Sequence, residues 1–123
     1  MPASVVLSPP PRSHGGLTVR DVGHDRAHVL VLTGELDSDS ISTLEDAISR
    51  CCNHGPSTIT LDLSKLAFID SAGLWTITIA RKWCESHGHG FWLIPGPEHV
   101  QYVFEVTGLS DVLPFKKDGS KRR

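Results

Sequence analysis

The chain is organised around Leu61-Asp-Leu-Ser-Lys-Leu-Ala-Phe-Ile-Asp-Ser-Ala-Gly-Leu-Trp75, in which a strand pattern gives way to a helix pattern. Apolar and polar residues alternate over roughly residues 57–63, which is typical of a strand with one apolar face. Residues 74–84 contain neither Gly nor Pro, and they favour a helix over about residues 72–86. The hinge Asp70-Ser-Ala-Gly73 joins the two elements. The stretch therefore predicts a strand, a tight turn and a helix in direct succession.

Ser71 stands where we expect the N-cap of this helix, next to backbone N–H groups that lack partners within the helix. In one interpretation its hydroxyl only caps the helix, because serine is a preferred capping residue. In the other it accepts a phosphoryl group, because a helix N-terminus favours an anion and Gly73 would let the backbone approach that group. The spacing alone does not choose between them.

The composition is that of one domain, with 123 residues of which 39% are hydrophobic. A chain of this size buries a core without a metal or a disulfide. It has no apolar run near the ~20 residues that span a bilayer, and its first residues lack the basic region of a signal peptide. We therefore expect a cytoplasmic protein that does not bind a membrane. Cys51, Cys52 and Cys84 are expected to be reduced, with Cys84 a small apolar residue in the helix.

The two ends of the chain differ from its body. Residues 1–16 are rich in Pro, Ser and Gly, and they predict a disordered arm. Residues 116–123 form a basic, flexible tail with five of the twelve basic residues and one of the fourteen acidic ones. Residues 1–115 keep seven basic and thirteen acidic residues, a net charge of about −6. An acidic body argues against nucleic acid as a ligand.

The body, residues 17–115, predicts a small α/β domain with a mixed four- to five-stranded sheet and helices mainly on one side. Leu17–Val22 and His28–Thr33 flank a turn, so we expect antiparallel neighbours, and the continuously apolar second run indicates a central strand. A helix follows at about residues 39–53, capped by Ser38 or Asp39.

Later segments complete the domain. Phe91–Ile94 is wholly apolar and predicts a buried parallel strand. A third helix follows Pro97 and ends at Gly108, and Val112–Phe115 forms either an edge strand or a closing segment. On the second helix, Trp75 and Ile79 form an apolar stripe that is either covered by the neighbouring helix or exposed for a partner.

Acidic residues follow two predicted strands. Asp37 and Ser71 should emerge at one edge of the sheet, because the carboxyl ends of parallel strands meet there. A magnesium site is one interpretation of these acids. We prefer the interpretation that Asp37 and Asp70 shape a docking surface near Ser71.

Catalytic chemistry is not indicated. Ser71 lacks the Gly-x-Ser-x-Gly turn of hydrolases, because Ile69 takes the first Gly position. His87 and His89 have no Cys or carboxylate ligands at metal-site spacing, so we interpret them as a helix stop. The sequence thus predicts no enzyme, no metal and no cofactor.

Several motifs together resemble a known family. Leu61-Asp-Leu-Ser64 and Phe68-Ile-Asp-Ser-Ala-Gly-Leu74 are similar to the signature of the STAS domain, in particular the stand-alone anti-sigma factor antagonists of bacteria. Leu32-Thr-Gly-Glu-Leu-Asp37 and Phe104-Glu-Val-Thr-Gly-Leu109 agree in order and spacing. Trp75 departs from the smaller residue typical of the family.

The resemblance implies a phosphorylation switch. Ser71 would be phosphorylated by an anti-sigma factor with a histidine-kinase-like ATPase fold, which binds the ATP, and the unphosphorylated chain would free a sigma factor in a stress response. The implied partner-binding residues are Asp37, Asp70, Ala72, Gly73, Leu74 and Trp75. The alternative is a STAS scaffold or lipid-transport accessory protein that binds permanently, without phosphorylation. A homodimer stays open, as do the identities of the anti-sigma factor and the phosphatase.

Overall fold

The computed structural model describes residues 16–116. In chain order they form β1 (Leu17–Asp21), β2 (Ala27–Leu36), α1 (Ile41–Cys52), β3 (Thr58–Ile69), α2 (Ser71–Ser86), β4 (Gly90–Ile94), α3 (Glu98–Val106) and a 3₁₀ turn (Leu109–Asp111). The predicted N-terminal arm and basic tail lie almost wholly outside the described residues. Within residues 16–116, no helix has both the length and the apolar character needed to cross a membrane.

The described strands form one mixed sheet in the order β1-β2-β3-β4. β1 is antiparallel to β2, whereas β2, β3 and β4 are parallel to one another. The prediction of a central second strand is confirmed, because β2 pairs with β1 on one side and with β3 on the other. It is not buried on both faces as predicted: Leu30 and Leu32 are buried on one face, whereas Thr33 on the other face is exposed. β4 is less buried than predicted, since Trp92 is 42% exposed. Alternation directs Trp92 to the opposite face from the buried Phe91 and Leu93.

A single hydrophobic core holds the sheet and the helices together. Its strand residues alternate along β2, β3 and β4, as one apolar face requires. They include Leu30, Leu32, Ile59, Leu61, Leu63, Phe91 and Leu93, and the helices add Leu44, Ile48, Leu74, Ile77, Val100 and Phe104. Because all three helices contribute to the same core, they cover the same face of the sheet. The fold class predicted from the sequence is confirmed.

The start of α1 differs from the prediction. Its N-cap is Ser40 rather than Ser38 or Asp39, and the Ser40 side chain does not cap the helix. The Ser40 hydroxyl instead donates to the Glu35 carbonyl at 2.8 Å and accepts from the Asp37 N–H at 3.0 Å. The loop after β2 therefore uses this hydroxyl to fold back on itself, which delays the helix.

The end of the described chain is a closing segment rather than an edge strand. Leu93 N–H donates to the Pro114 carbonyl at 3.1 Å, and Lys116 N–H donates to the Leu93 carbonyl at 2.7 Å. Pro114 has no N–H of its own, so it cannot extend a ladder. The Phe115 ring meets Phe104 edge to face at a centroid distance of 5.1 Å, which covers the outer end of the core.

Candidate functional site at the carboxyl end of the sheet

The hinge between β3 and α2 places Asp70 at the N-cap and Ser71 at the first helical position. The prediction that Ser71 caps the helix is therefore wrong by one residue. Asp70 has extended backbone angles, and its Oδ1 accepts a hydrogen bond from the Gly73 N–H at 3.0 Å. The carboxylate thus performs the capping role, which it does at least as well as a serine hydroxyl.

This arrangement leaves the Ser71 side chain exposed at the start of α2. Among residues 16–116 its hydroxyl has no hydrogen-bond partner, and no histidine side chain is bonded to it as a general base would be. The N–H groups of Ser71 and Ala72 belong to the first turn, so they have no acceptor within the helix. The site is chemically a free hydroxyl beside two free donors at the positive end of a helix dipole.

Gly73 serves packing rather than the approach of an anion. A Cβ at this position would lie 2.7 Å from the Leu36 carbonyl oxygen, and 2.9 Å from side-chain carbons of Leu36 and Ile69. Gly73 is buried, and Leu74 beside it is only 4% exposed. These two members of the predicted partner-binding set face the core, and they fix the first turn of α2 against the end of β2.

The loop after β2 reaches the same edge, as predicted. Leu36 and Ile69 are register partners, and the Asp70 N–H donates to the Leu36 carbonyl at 3.2 Å. Asp37 is partly buried, and its Oδ1 accepts from the Asp39 N–H at 3.0 Å. Asp37 and Asp70 therefore each use one carboxylate oxygen to shape the loops that border Ser71.

The outer side of α2 is apolar and exposed, which decides the alternative left open by the sequence. Trp75 is 65% exposed, Ile79 49% and Trp83 43%. With α1 this stripe borders a groove of about 430 Å³, lined by Ile41, Glu45, Ile48, Ser49, Trp75, Thr76, Ile79, Ala80 and Trp83. Trp83 extends the stripe beyond the predicted Trp75 and Ile79, and helical spacing identifies it, because it lies four residues after Ile79 and eight after Trp75.

The cysteines behave as interior apolar residues. Cys51 and Cys84 are buried and all three thiols are free. Burial raises the pKa of Cys51 and of Cys84 to about 12, with smaller contributions from neighbouring groups, and it also raises the pKa of Cys52. Thiols with raised pKa values are poor nucleophiles at neutral pH. The prediction of a structural Cys84 is confirmed.

Comparisons with known proteins identify the family to which the chain belongs. The model of the STAS domain family matches residues 18–120. An anti-sigma-B factor antagonist of Staphylococcus epidermidis is 23% identical over 97 residues, which cover 79% of this chain and 90% of the relative.

Solved structures of anti-sigma factor antagonists have a similar fold. An anti-sigma factor antagonist from Mycobacterium paratuberculosis has a TM-score of 0.72 at 25% identity, with 89% of each chain covered. The phosphorylated form of the Bacillus cell fate determinant SpoIIAA has a TM-score of 0.59 at 22% identity, with 83% of this chain and 92% of that chain covered, a likeness of fold. This chain belongs to the STAS domain family, and the relatives it resembles are anti-sigma factor antagonists.

Proposed function

We propose that this chain is an anti-sigma factor antagonist whose binding to its anti-sigma factor is controlled by phosphorylation of Ser71. The partner would be an anti-sigma factor with a histidine-kinase-like ATPase fold, and its capture by the unphosphorylated chain would free a sigma factor. The observation that carries the proposal is the exposed Ser71 hydroxyl, which opens α2 without a structural role of its own. The names of the relatives support the class of partner.

The helix start suits a phosphoryl group. The Ser71 oxygen would attack the terminal phosphorus of ATP held by the partner, ADP would leave, and the hydroxyl proton would pass to a base on the partner. The free N–H groups of Ser71 and Ala72 and the helix dipole then stabilise the added negative charge. Because the Asp70 cap is unchanged by this step, we expect the domain to stay folded.

Phosphorylation should weaken the complex. A phosphoserine adds about −1.5 to −2 charges at pH 7. Asp37 and Asp70 border Ser71, so the added charge joins an edge that is already acidic. The same edge continues into the exposed Trp75, and an apolar contact there would have to bury the phosphate beside it. Repulsion and desolvation both oppose binding.

The test is to incubate the chain with a candidate anti-sigma factor and ATP and to measure intact mass. We expect one added phosphate, and we expect Ser71→Ala to abolish it. Ser38→Ala is the matched control, because Ser38 is an exposed serine in the neighbouring loop, and it should leave the modification intact. Continued phosphorylation of Ser71→Ala would reject the assignment of the site.

The runner-up is a scaffold or accessory protein that binds permanently. The groove between α1 and α2 favours it, because Trp75, Ile79 and Trp83 are exposed and Ser71 does not line the groove. Ser71→Asp separates the two functions: it should weaken a phosphorylation-controlled complex and leave a permanent one unchanged. Trp75→Ala should weaken either complex, and Tyr102→Ala, which removes a similarly exposed aromatic ring from α3, should weaken neither.

A further inference from the structure

A second cluster of reactive side chains lies at the amino end of β2, remote from the Ser71 edge. Asp21 is the last residue of β1, His28 is the second residue of β2, and Cys51 is the last but one residue of α1. One ligand atom of each residue lies within 4.8 Å of the others. We propose that Asp21, His28 and Cys51 bind a divalent transition-metal ion of the zinc type.

The spacing is close to what a zinc ion requires. Zn²⁺ binds nitrogen and oxygen at about 2.0–2.2 Å and thiolate sulfur at about 2.3 Å, so tetrahedral ligand atoms lie roughly 3.3–3.6 Å apart. His28 Nδ1 and Asp21 Oδ2 are 2.7 Å apart, slightly closer than this, and the remaining separations reach at most 4.8 Å. Tetrahedral coordination by all three atoms would require side-chain movements of about 1 Å.

The donor set selects the class of metal. Thiolate and imidazole ligands favour zinc and related transition metals, whereas magnesium and calcium require oxygen ligands. The charges of the ligands also favour a divalent cation. The Asp21 carboxylate lies beside a buried thiol, so a Cys51 thiolate would place two negative charges together. A divalent cation neutralises both, and its binding releases the thiol proton to solvent.

An ion can reach the cluster. A pocket of about 280 Å³ is lined by Asp21 and Cys51 together with Arg50 and His54. The His54 ring stacks on His28 at a centroid distance of 5.9 Å and lines the same pocket, but only Asp21, His28 and Cys51 have ligand atoms within 4.8 Å of one another, so the fourth ligand would be water. Arg50 also lines this pocket, and its positive charge would repel a cation. Binding would therefore need both anionic ligands, the Asp21 carboxylate and the Cys51 thiolate.

A hydrogen-bonded pair does not explain the whole cluster. The contact between Asp21 and His28 accounts for those two groups, and Cys51 is also a residue of the hydrophobic core. Core packing requires only a buried side chain at this position, and it does not account for a sulfur atom within 4.8 Å of both other ligand atoms. With an ion bound, the site would join the β1–β2 hairpin to the end of α1. Those elements lie away from Ser71, so the metal site and the phosphorylation switch can be tested separately.

The experiment is to titrate the full chain, after treatment with a chelator, with Zn²⁺ and with Co²⁺. We expect one ion per chain, a higher melting temperature with Zn²⁺, and thiolate-to-cobalt charge-transfer absorption in the near ultraviolet with Co²⁺. Cys51→Ala should abolish that absorption. Cys52→Ala, at the adjacent residue, should retain both the absorption and the stoichiometry.

A second variant keeps the test decisive if Cys51→Ala, which truncates a buried side chain, fails to fold. His28→Gln changes a side chain that is 13% exposed, and circular dichroism will report its fold. It should weaken Zn²⁺ affinity by at least about a hundredfold, because the loss of a direct ligand exceeds the 10- to 100-fold cost of losing a group that only supports a ligand. Absence of stoichiometric binding, unchanged affinity in His28→Gln, or equal loss of absorption in Cys52→Ala would each overturn the proposal. None of these results would alter phosphorylation of Ser71.

Discussion

The two ends of the parallel strands present their polar groups in different ways. At the carboxyl end, Asp37 and Asp70 are tied to loop backbone while the Ser71 hydroxyl is exposed beside a broad apolar stripe. At the amino end, Asp21, His28 and Cys51 converge on one another, and Asp21 and Cys51 also line a small pocket. The first arrangement suits a macromolecule that covers a surface, and the second suits a single ion. The two proposed sites thus lie at opposite ends of the parallel strands.

The largest expected loss of stability at the carboxyl end of the strands comes from Gly73→Ala. The new Cβ would meet the Leu36 carbonyl oxygen at 2.7 Å, and this backbone atom cannot move without disturbing its hydrogen bond from the Asp70 N–H. We expect a loss of about 1–3 kcal/mol in the free energy of unfolding, as overpacked cores show. Urea denaturation will measure it.

The matched control for Gly73→Ala is Ser71→Ala, two residues earlier on the exposed side of the same turn. It should change the free energy of unfolding by no more than about 0.5 kcal/mol. Equal stability of Gly73→Ala and the wild type would show that α2 does not need its close approach to β2.

A pH titration sharpens the description of the amino end, where α1 and α2 finish. Burial raises the pKa of Cys84 from its ordinary value of 9.0 to about 12, so the folded state keeps a proton that the unfolded state loses. The stabilisation is complete below pH 9 and is lost as the pH rises towards about 12. The unfolding free energy of Cys84→Ala should therefore fall less steeply with rising pH than that of the wild type, by up to about 1.4 kcal/mol per pH unit.

The comparison uses the slope against pH rather than the absolute stability, because Cys84→Ala also removes buried volume. Urea denaturation of metal-free protein at several pH values between 8 and 11 provides the slopes. Parallel profiles for the variant and the wild type would contradict the raised pKa of Cys84.

The smallest expected effect concerns the cap of α2. Asp70→Ala removes the acceptor for the Gly73 N–H and should cost about 1 kcal/mol of unfolding free energy. Asp70→Asn keeps an oxygen acceptor and should lose less than half as much. If the two variants were equally unstable, the charge of Asp70 rather than its hydrogen bond would stabilise the helix start.

Much of the carboxyl end could be read from the sequence because its parts are contiguous. Asp70, Ser71 and Gly73 lie within four residues, and parallel strands bring Asp37 to the same edge. The identity of the cap could not be read, because Asp and Ser are both good caps. The choice depends on where the chain leaves β3, which the bond between Asp70 N–H and the Leu36 carbonyl fixes in three dimensions.

The amino end could not be predicted in the same way. Asp21, His28 and Cys51 come from three elements, and they meet only because α1 packs across the β1–β2 hairpin. No local pattern of metal ligands marks them, since Cys51 is followed by Cys52 and not by a spaced ligand. Similarly, the stripe on α2 was recognised, but its exposure depends on how far α1 extends over it.

The position of Asp70 at the cap has one more consequence. Because a carboxylate anchors the start of α2, the neighbouring Ser71 oxygen is spared any part in holding the backbone. The proposed phosphate on that oxygen would then be added and removed over many rounds without any change in the fold. Only the surface charge would differ between the two forms, and removal of the phosphate would restore the starting state without refolding.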